Sequence, residues 1–399
     1  MSRFRLYPTP TQETALLQHC THARYLWNLA LEQWSMWTRD KGPTPRFAEQ
    51  CRQLTAARAE FGWLRAGSQT VQQQALRDFT QAVEQFYAGS GGRPSWRKAG
   101  QHEGFRIVGT QAARVIKLSR KWAAVKVPKI GWVRFRLSRT APSAKSYRIK
   151  CDRLGRWYLA FAVIPPPIPA PGTGKTVGVD LGVAVSAALS TGDLLSCPVI
   201  SKSERVRLER LQRRLARCRR GSQRCRRVRV AIAKLHARVR DRRKDWIEKT
   251  STDLARRYDV IRVEDLRITA MIRRPKPKPD PEHSGGYLPN RRRAKAGLNR
   301  GILASGWGLL VRRLEEKAPG RVEKVNPAFT SQTCSVCGHC APGNRESQAK
   351  FRCVACGHQA NADVNAAVNI AAGRAVSARR EVPQLALPKR EPQPTASGR

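Results

Sequence analysis

The sequence predicts an α+β protein built from several domains, on three observations. Apolar residues recur at helical spacing in the first quarter of the chain, alternate with polar ones between Phe105 and Ile164, and then change period again. Glycine- or proline-rich stretches at 89–92 and 164–173 separate these blocks. A length of 399 residues allows two or three domains at roughly 150 residues each.

In chain order, residues 4–7 alternate as a short strand and stop at Pro8 and Pro10, after which residues 11–14 open a helix. Leu16, Leu17, Cys20, Ala23, Leu26 and Trp27 continue it at helical spacing, and a second helical run extends from Ser68 through Leu76, Phe79, Val83 and Phe86. Residues 124–127, 132–135 and 157–161 have strand composition and are cut by Pro128, Pro142 and Pro165, which points to a small β-barrel-like domain. Residues 176–189 read as the two strands of a hairpin. From Ser203 to Thr250, Leu211, Cys218, Cys225, Ile232, Val239 and Trp246 recur every seven residues, the pattern of a helix with one apolar seam, and Gly221-Ser222 offers a reversal point. A strand over 260–263 ends at Glu264. Residues 275–293 read as a mobile loop, 301–318 and 362–372 as helices, and everything beyond Arg374 as a charged, disordered tail.

With 76 Lys and Arg against 29 Asp and Glu, the formal charge is +47, which calls for a polyanionic partner. No stretch approaches the roughly 20 apolar residues of a membrane span, and residues 1–8 lack a signal-peptide core, so a soluble, cytoplasmic, nucleoid-associated protein with no membrane partner is expected. The basic residues crowd one region, with Arg213, Arg214, Arg217, Arg219, Arg220, Arg224, Arg226, Arg227 and Arg229 in close succession. A solvated helix balances its charges and this one does not, which favours phosphate contact over a salt-bridged face. Trp96, Tyr25 and Trp27 interleave with arginines, but helical spacing assigns Tyr25 and Trp27 to the core.

Against this background three acids stand out. Asp180 lies in the apolar alternation of Val177, Val179, Leu181 and Val183, which places it near the middle of a sheet. Glu264 follows a β-branched strand. Asp363 opens a helix, where it or Asn361 also suits a capping role. Together the three carboxylates suit hard divalent ions, two of which serve phosphodiester hydrolysis. Cys334, Cys337, Cys353 and Cys356 form two Cys-x-x-Cys pairs, each followed by Gly, which suits one closed, structural Zn²⁺ site. His339, Cys340 and His358 each break that symmetry. The remaining cysteines, Cys20, Cys51, Cys151, Cys197, Cys218 and Cys225, read as packing residues.

The motifs Gly178-Val179-Asp180-Leu181-Gly182, Val263-Glu264-Asp265-Leu266, Gly306-Trp307-Gly308, Thr330-Ser331-Gln332-Thr333-Cys334 and Asn361-Ala362-Asp363-Val364-Asn365, in this order, resemble those of the TnpB proteins of insertion sequences. Those proteins are RNA-guided DNA endonucleases related to type V CRISPR effectors. The resemblance implies a wedge β-barrel (1–10 and 104–170) interrupted by a helical recognition domain (11–103). It further implies a RuvC-like nuclease of the RNase H fold (171–325 and 362–373), an inserted zinc ribbon (326–361) and a disordered tail (374–399). Asp180, Glu264 and Asp363 match the RuvC carboxylates and would bind two Mg²⁺ ions, with Mn²⁺ as the alternative. The implied partners are a guide RNA and double-stranded target DNA, with Arg213, Arg214, Arg217, Arg220, Arg224 and Arg227 on nucleic-acid backbones. By position, Gln69, Thr70 and Gln73 would read the motif flanking the target. Residues 275–293 correspond to a variable loop over the nuclease cleft, and Ser305 stands where many relatives carry an acid. A compact CRISPR effector with an array-encoded guide, and a non-cleaving RNA-guided regulator, stay open, as does the number of copies per RNA.

Overall fold

Residues 2–37, 46–112, 114–281, 283 and 285–373 are described by a computed structural model, in which the chain divides into two units after Pro166. The expected tail, 374–399, lies outside the described residues.

In the first unit β1 (Ser2–Tyr7) leads into α1 (Pro10–Ser35). Pro10 opens the helix, where its missing N–H is not needed. Thr9 and Gln12 close a capping box, with Thr9 Oγ1 accepting from the Gln12 amide at 3.3 Å and Gln12 Oε1 from the Thr9 amide at 3.1 Å. Helices α2 (Phe47–Glu60), α3 (Gly62–Ala66) and α4 (Gln69–Tyr87) complete a helical block between β1 and the other strands. These are β2 (Gly104–Val108), β3 (Val115–Lys117), β4 (Trp122–Val127), β5 (Gly131–Arg136), β6 (Ser146–Cys151) and β7 (Trp157–Phe161). The seven strands form one sheet in the order β2-β6-β7-β1-β5-β4-β3, every pairing antiparallel. Phe4, Phe135 and Phe161 meet edge-on, with centroids 5.3, 5.8 and 6.2 Å apart, in a core shared with Leu16, Leu26 and Phe79 of the helices. Trp27 joins that core. Tyr25 does not: two residues apart on a helix is roughly 200° around its axis, and Tyr25 is 44% exposed, edge-on to Trp63.

The second unit begins with β8 (Thr176–Asp180), β9 (Ala187–Leu189) and β10 (Leu194–Leu195). Next come α5 (Lys202–Ala216) and α6 (Gln223–Arg257), which reverse at Gly221, where φ is +82°, and Ser222, which caps α6. Arg242 of α6 clasps Glu204 of α5, Nη2 to Oε2 at 2.6 Å. Strand β11 (Val260–Glu264) follows, then α7 (Ile268–Met271), β12 (Lys278–Pro279) and β13 (Tyr287–Leu288), the last two paired within the expected loop. The single helix expected over 301–318 is two helices, α8 (Arg292–Ser305) and α9 (Trp307–Lys317), because Gly306 takes a φ of +74° between them. Then come β14 (Val322–Val325), β15 (Lys350–Arg352), β16 (Gln359–Asn361) and α10 (Ala362–Ala371).

The main sheet here runs β10-β9-β8-β11-β14, with β8, β11 and β14 parallel. Alternation decides its two faces. Val177, Val179, Ile261 and Val263 share a core with Ile247 and Leu254 of α6 and Leu310 and Leu314 of α9. The intervening residues face α10: a Cβ on Gly178 would lie 2.0 Å from the Ala367 carbonyl oxygen, and Arg262 donates to the Ala371 carbonyl. No described helix is long and apolar enough to cross a membrane.

Candidate active site

Asp180 and Glu264 are the last residues of two adjacent parallel strands, β8 and β11, so both carboxylates stand at the same end of the sheet. The position expected for Asp180, inside a strand, is corrected: the strand stops there because the chain turns at Gly182, where a Cβ would meet the Val185 carbonyl oxygen at 2.6 Å. Both acids share the α10 face with Gly178 and Arg262. Helix α10 brings Asp363 to them from above. Its cap is Asn361, whose Oδ1 accepts from the Asp363 and Val364 amides at 3.0 and 3.2 Å, so the Asp363 carboxylate is not spent on capping. Asp363 Oδ2 instead lies over the turn after Asp180, 3.9 Å from where a Gly182 Cβ would be.

The three acids repel one another in a half-buried site. Burial, and then the charges of Glu264 and Asp363, push the Asp180 carboxyl up to about 8, against a smaller pull from Arg345. Burial also raises Glu264, opposed by hydrogen bonds from Thr330 and from the Leu181 backbone. Carboxylate oxygens are the donors a hard divalent cation takes, so the chemistry of the set suits one, but among the described residues only Cys334, Cys337, Cys353 and Cys356 are already drawn together as tightly as a single ion requires. Arg345 Nη2 reaches Asp363 Oδ1 at 3.2 Å, and Thr330 Oγ1 reaches Glu264 Oε1 at 3.2 Å. The sequence placed Thr330 in a motif of the resemblance but gave neither residue a role at the acids. One arginine carries no signal in a chain this basic, and both contacts are non-local.

Beside this site, the Sγ atoms of Cys334, Cys337, Cys353 and Cys356 all lie within 4.8 Å of one another. The pairs Cys334–Cys356 and Cys337–Cys353 are 3.7 and 3.5 Å apart, near the roughly 3.8 Å edge of a tetrahedron with Zn–S bonds of about 2.3 Å. Gly338 and Gly357 take φ of +75° and +73° and close the two knuckles on the Cys334 and Cys353 carbonyls. The Cys356 amide, aimed at sulfur, draws the Cys353 thiol down to about 6. Thiolates in this set fit Zn²⁺. Cys340 stands outside it, bridging Thr333 in a two-residue ladder.

Gln69 and Thr70 open α4 and Gln73 lies one turn further on, Gln69 exposed and the other two half-buried, while Gln72 between them is buried against Arg58 and the Leu64 carbonyl. Arg213, Arg214, Arg217, Arg220, Arg224 and Arg227 are all exposed and cluster around the turn joining α5 to α6.

The chain matches the IS605 OrfB family model, described as "Probable transposase", over residues 160–274. Residues 307–370 match the "Cas12f1-like, TNB domain" and residues 2–42 a "Helix-turn-helix domain". It is 34% identical to "Putative RNA-guided DNA endonuclease InsQ" of Escherichia coli (strain K12), over 98% of this chain and 96% of that one. The chain belongs to the TnpB family. A second relative, "Putative RNA-guided DNA endonuclease" of Streptomyces pristinaespiralis, is 28% identical over 94% of this TnpB chain and 90% of its own. The fold is shared more widely. In a solved Cas12f1–sgRNA–target DNA complex, the matching chain superposes with a TM-score of 0.53 at 15% identity, covering 90% of this TnpB chain and 82% of that one. In the stretch matched as helix-turn-helix, the described residues 2–37 hold β1 and one long helix.

Proposed function

We propose that this protein is the RNA-guided DNA endonuclease of an insertion sequence, cutting double-stranded DNA beside a short flanking motif. The observation that carries the reading is the convergence of Asp180, Glu264 and Asp363 at one end of the β8–β11 sheet, beneath the first turn of α10. The near-full-length likeness to InsQ supports the guide RNA and target DNA as partners. On this reading the strands of 1–10 and 104–170 are a wedge barrel, 11–103 a recognition domain, 171–325 with 362–373 a RuvC-like nuclease, and 326–361 a zinc ribbon.

Two Mg²⁺ ions held by the three acids would supply Lewis-acid activation for phosphodiester hydrolysis. The chain's own residues do the rest. Asp180 and Glu264 offer oxygens fixed by the sheet, Asp363 offers one fixed by α10, and Arg345 orients Asp363 through its 3.2 Å ion pair. Arg213, Arg214, Arg217, Arg220, Arg224 and Arg227 bind nucleic-acid backbones, and Gln69, Thr70 and Gln73 read the flanking motif.

The test is Mg²⁺-dependent cleavage of target plasmid by the RNA-loaded protein. Asp180→Ala should cut no more than a metal-free control while still binding guide and target. Cutting by that variant would overturn the active-site assignment. Sequencing the co-purified RNA separates a transposon-derived guide from an array-encoded one.

A further inference from the structure

Residues 329–335 run between the two clusters of the second unit, and apart from Cys334 none of them has been given a role above. Cys334 stands near one end of this strap and Thr330 near the other. Thr330 is 2% exposed, and its hydroxyl lies 3.2 Å from Glu264 Oε1 and 3.1 Å from the Pro327 carbonyl oxygen. One hydroxyl has one proton, and of these two acceptors the carboxylate is the stronger.

The strap closes a turn on itself, the Phe329 carbonyl accepting from the Gln332 and Thr333 amides at 2.9 and 3.0 Å and from the Thr333 hydroxyl at 2.9 Å, and it is also tied to α10. Phe329, just before Thr330, sits at a φ of +62°, a left-handed conformation that a bulky side chain keeps only when its surroundings impose it. Two asparagines one turn apart on α10, each 1% exposed, hold the residues that follow it. Asn369 Nδ2 donates to the Thr330 and Thr333 carbonyls at 3.0 and 2.7 Å. Asn365 Nδ2 donates to the Thr333 carbonyl at 2.8 Å, and its Oδ1 accepts from the Ser335 amide at 3.0 Å. Buried amides inside a helix are costly unless paired, and these are paired to the strap. The helix that presents Asp363 is thereby tied to the segment that touches Glu264.

We propose that Thr330, held by Asn369, is a positioning residue for Glu264, fixing that carboxylate relative to Asp363. The proposal rests on the divalent-ion reading of the three acids. Thr330→Val keeps the shape and removes the hydroxyl, and Thr330→Ser restores the hydroxyl.

Mn²⁺ binding to the RNA-loaded protein, followed by electron paramagnetic resonance and referenced to the Asp180→Ala complex, separates site-bound ions from those held by RNA. Thr330→Val should weaken the site-bound class about tenfold, and Thr330→Ser should bind within about twofold of the parent. Asn369→Ala should weaken it in the same direction, and the double variant should lose little more than either single one. Unchanged zinc content and guide binding confirm that the fold is kept, and Thr330→Ala replaces the valine variant if it is not. Parent-like Mn²⁺ binding by the fold-retaining hydroxyl-free variant, or equal weakening by valine and serine, overturns the positioning role. If Asp180→Ala itself binds Mn²⁺ like the parent, the acid-site reading fails and the proposal with it.

Discussion

Gly178 of β8 and Ala367 of α10 meet backbone against backbone, so closely that a Cβ on residue 178 would sit 2.0 Å from the Ala367 carbonyl oxygen and 2.4 Å from the Ala371 amide nitrogen. Neither obstacle is the movable end of a side chain. Gly178→Ala must therefore lift α10, and with it Asp363, away from Asp180. The expected outcome is a loss of about 1–3 kcal/mol of stability, the usual range for overpacking, together with loss of cleavage. Denaturant unfolding and the plasmid assay check it, and a variant that unfolds and cuts like the parent would show that the close approach is not needed.

The raised Asp180 carboxyl sets a direction for pH dependence. Its folded value of about 8 lies above the ordinary value of 3.8, so between those limits the metal-free folded state binds a proton that the unfolded chain has released. This contribution to stability is complete below about pH 3.8 and is lost as pH rises through about 8. A divalent ion must displace that proton, so its affinity should rise with pH up to the same value. Melting with and without Mg²⁺ should show a larger stabilising shift at pH 8 than at pH 6. An equal shift at the two pH values would contradict it.

Much of this site was legible because Val177, Val179, Ile261 and Val263 announce strands whose last polar residues carry the acids. The Cys-x-x-Cys-Gly pairs announce the sulfur cluster from local spacing alone. The strand end at Asp180 was not legible, because Leu181 and Val183 prolong the apolar alternation past the point where Gly182 turns the chain. Helix α2 left no pattern either, since only Gln50 and Leu54 of its fourteen residues are buried. Arg345 and Thr330 needed the fold: each touches an acid brought near by chain reversals, and no period or spacing encodes that.

The four-cysteine cluster should hold one zinc ion per chain, measurable by elemental analysis. Its loss should reach the acids, because Arg345 lies between the two Cys pairs and Ser335, beside Cys334, is bonded to Asn365 of α10. Cys337→Ser, or chelation near neutral pH, should lower both the melting temperature and the cleavage rate. Zinc-free protein that melts and cuts like the loaded form would separate the two centres.

On the proposed function, the arginines around the α5–α6 turn serve binding and not the fold. Arg213, Arg214, Arg217, Arg220, Arg224 and Arg227 are exposed, and the ion pair that clasps the two helices uses Arg242 and Glu204 instead. Replacing the six by Gln should leave melting of the RNA-free protein unchanged or slightly raised, because self-repulsion falls. Guide binding should weaken, and the slope of log affinity against log salt should become shallower by about 0.7–0.9 for each phosphate that is no longer neutralised. An unchanged slope would mean that the RNA backbone passes elsewhere on the protein, and that this cluster of charge serves some other polyanion.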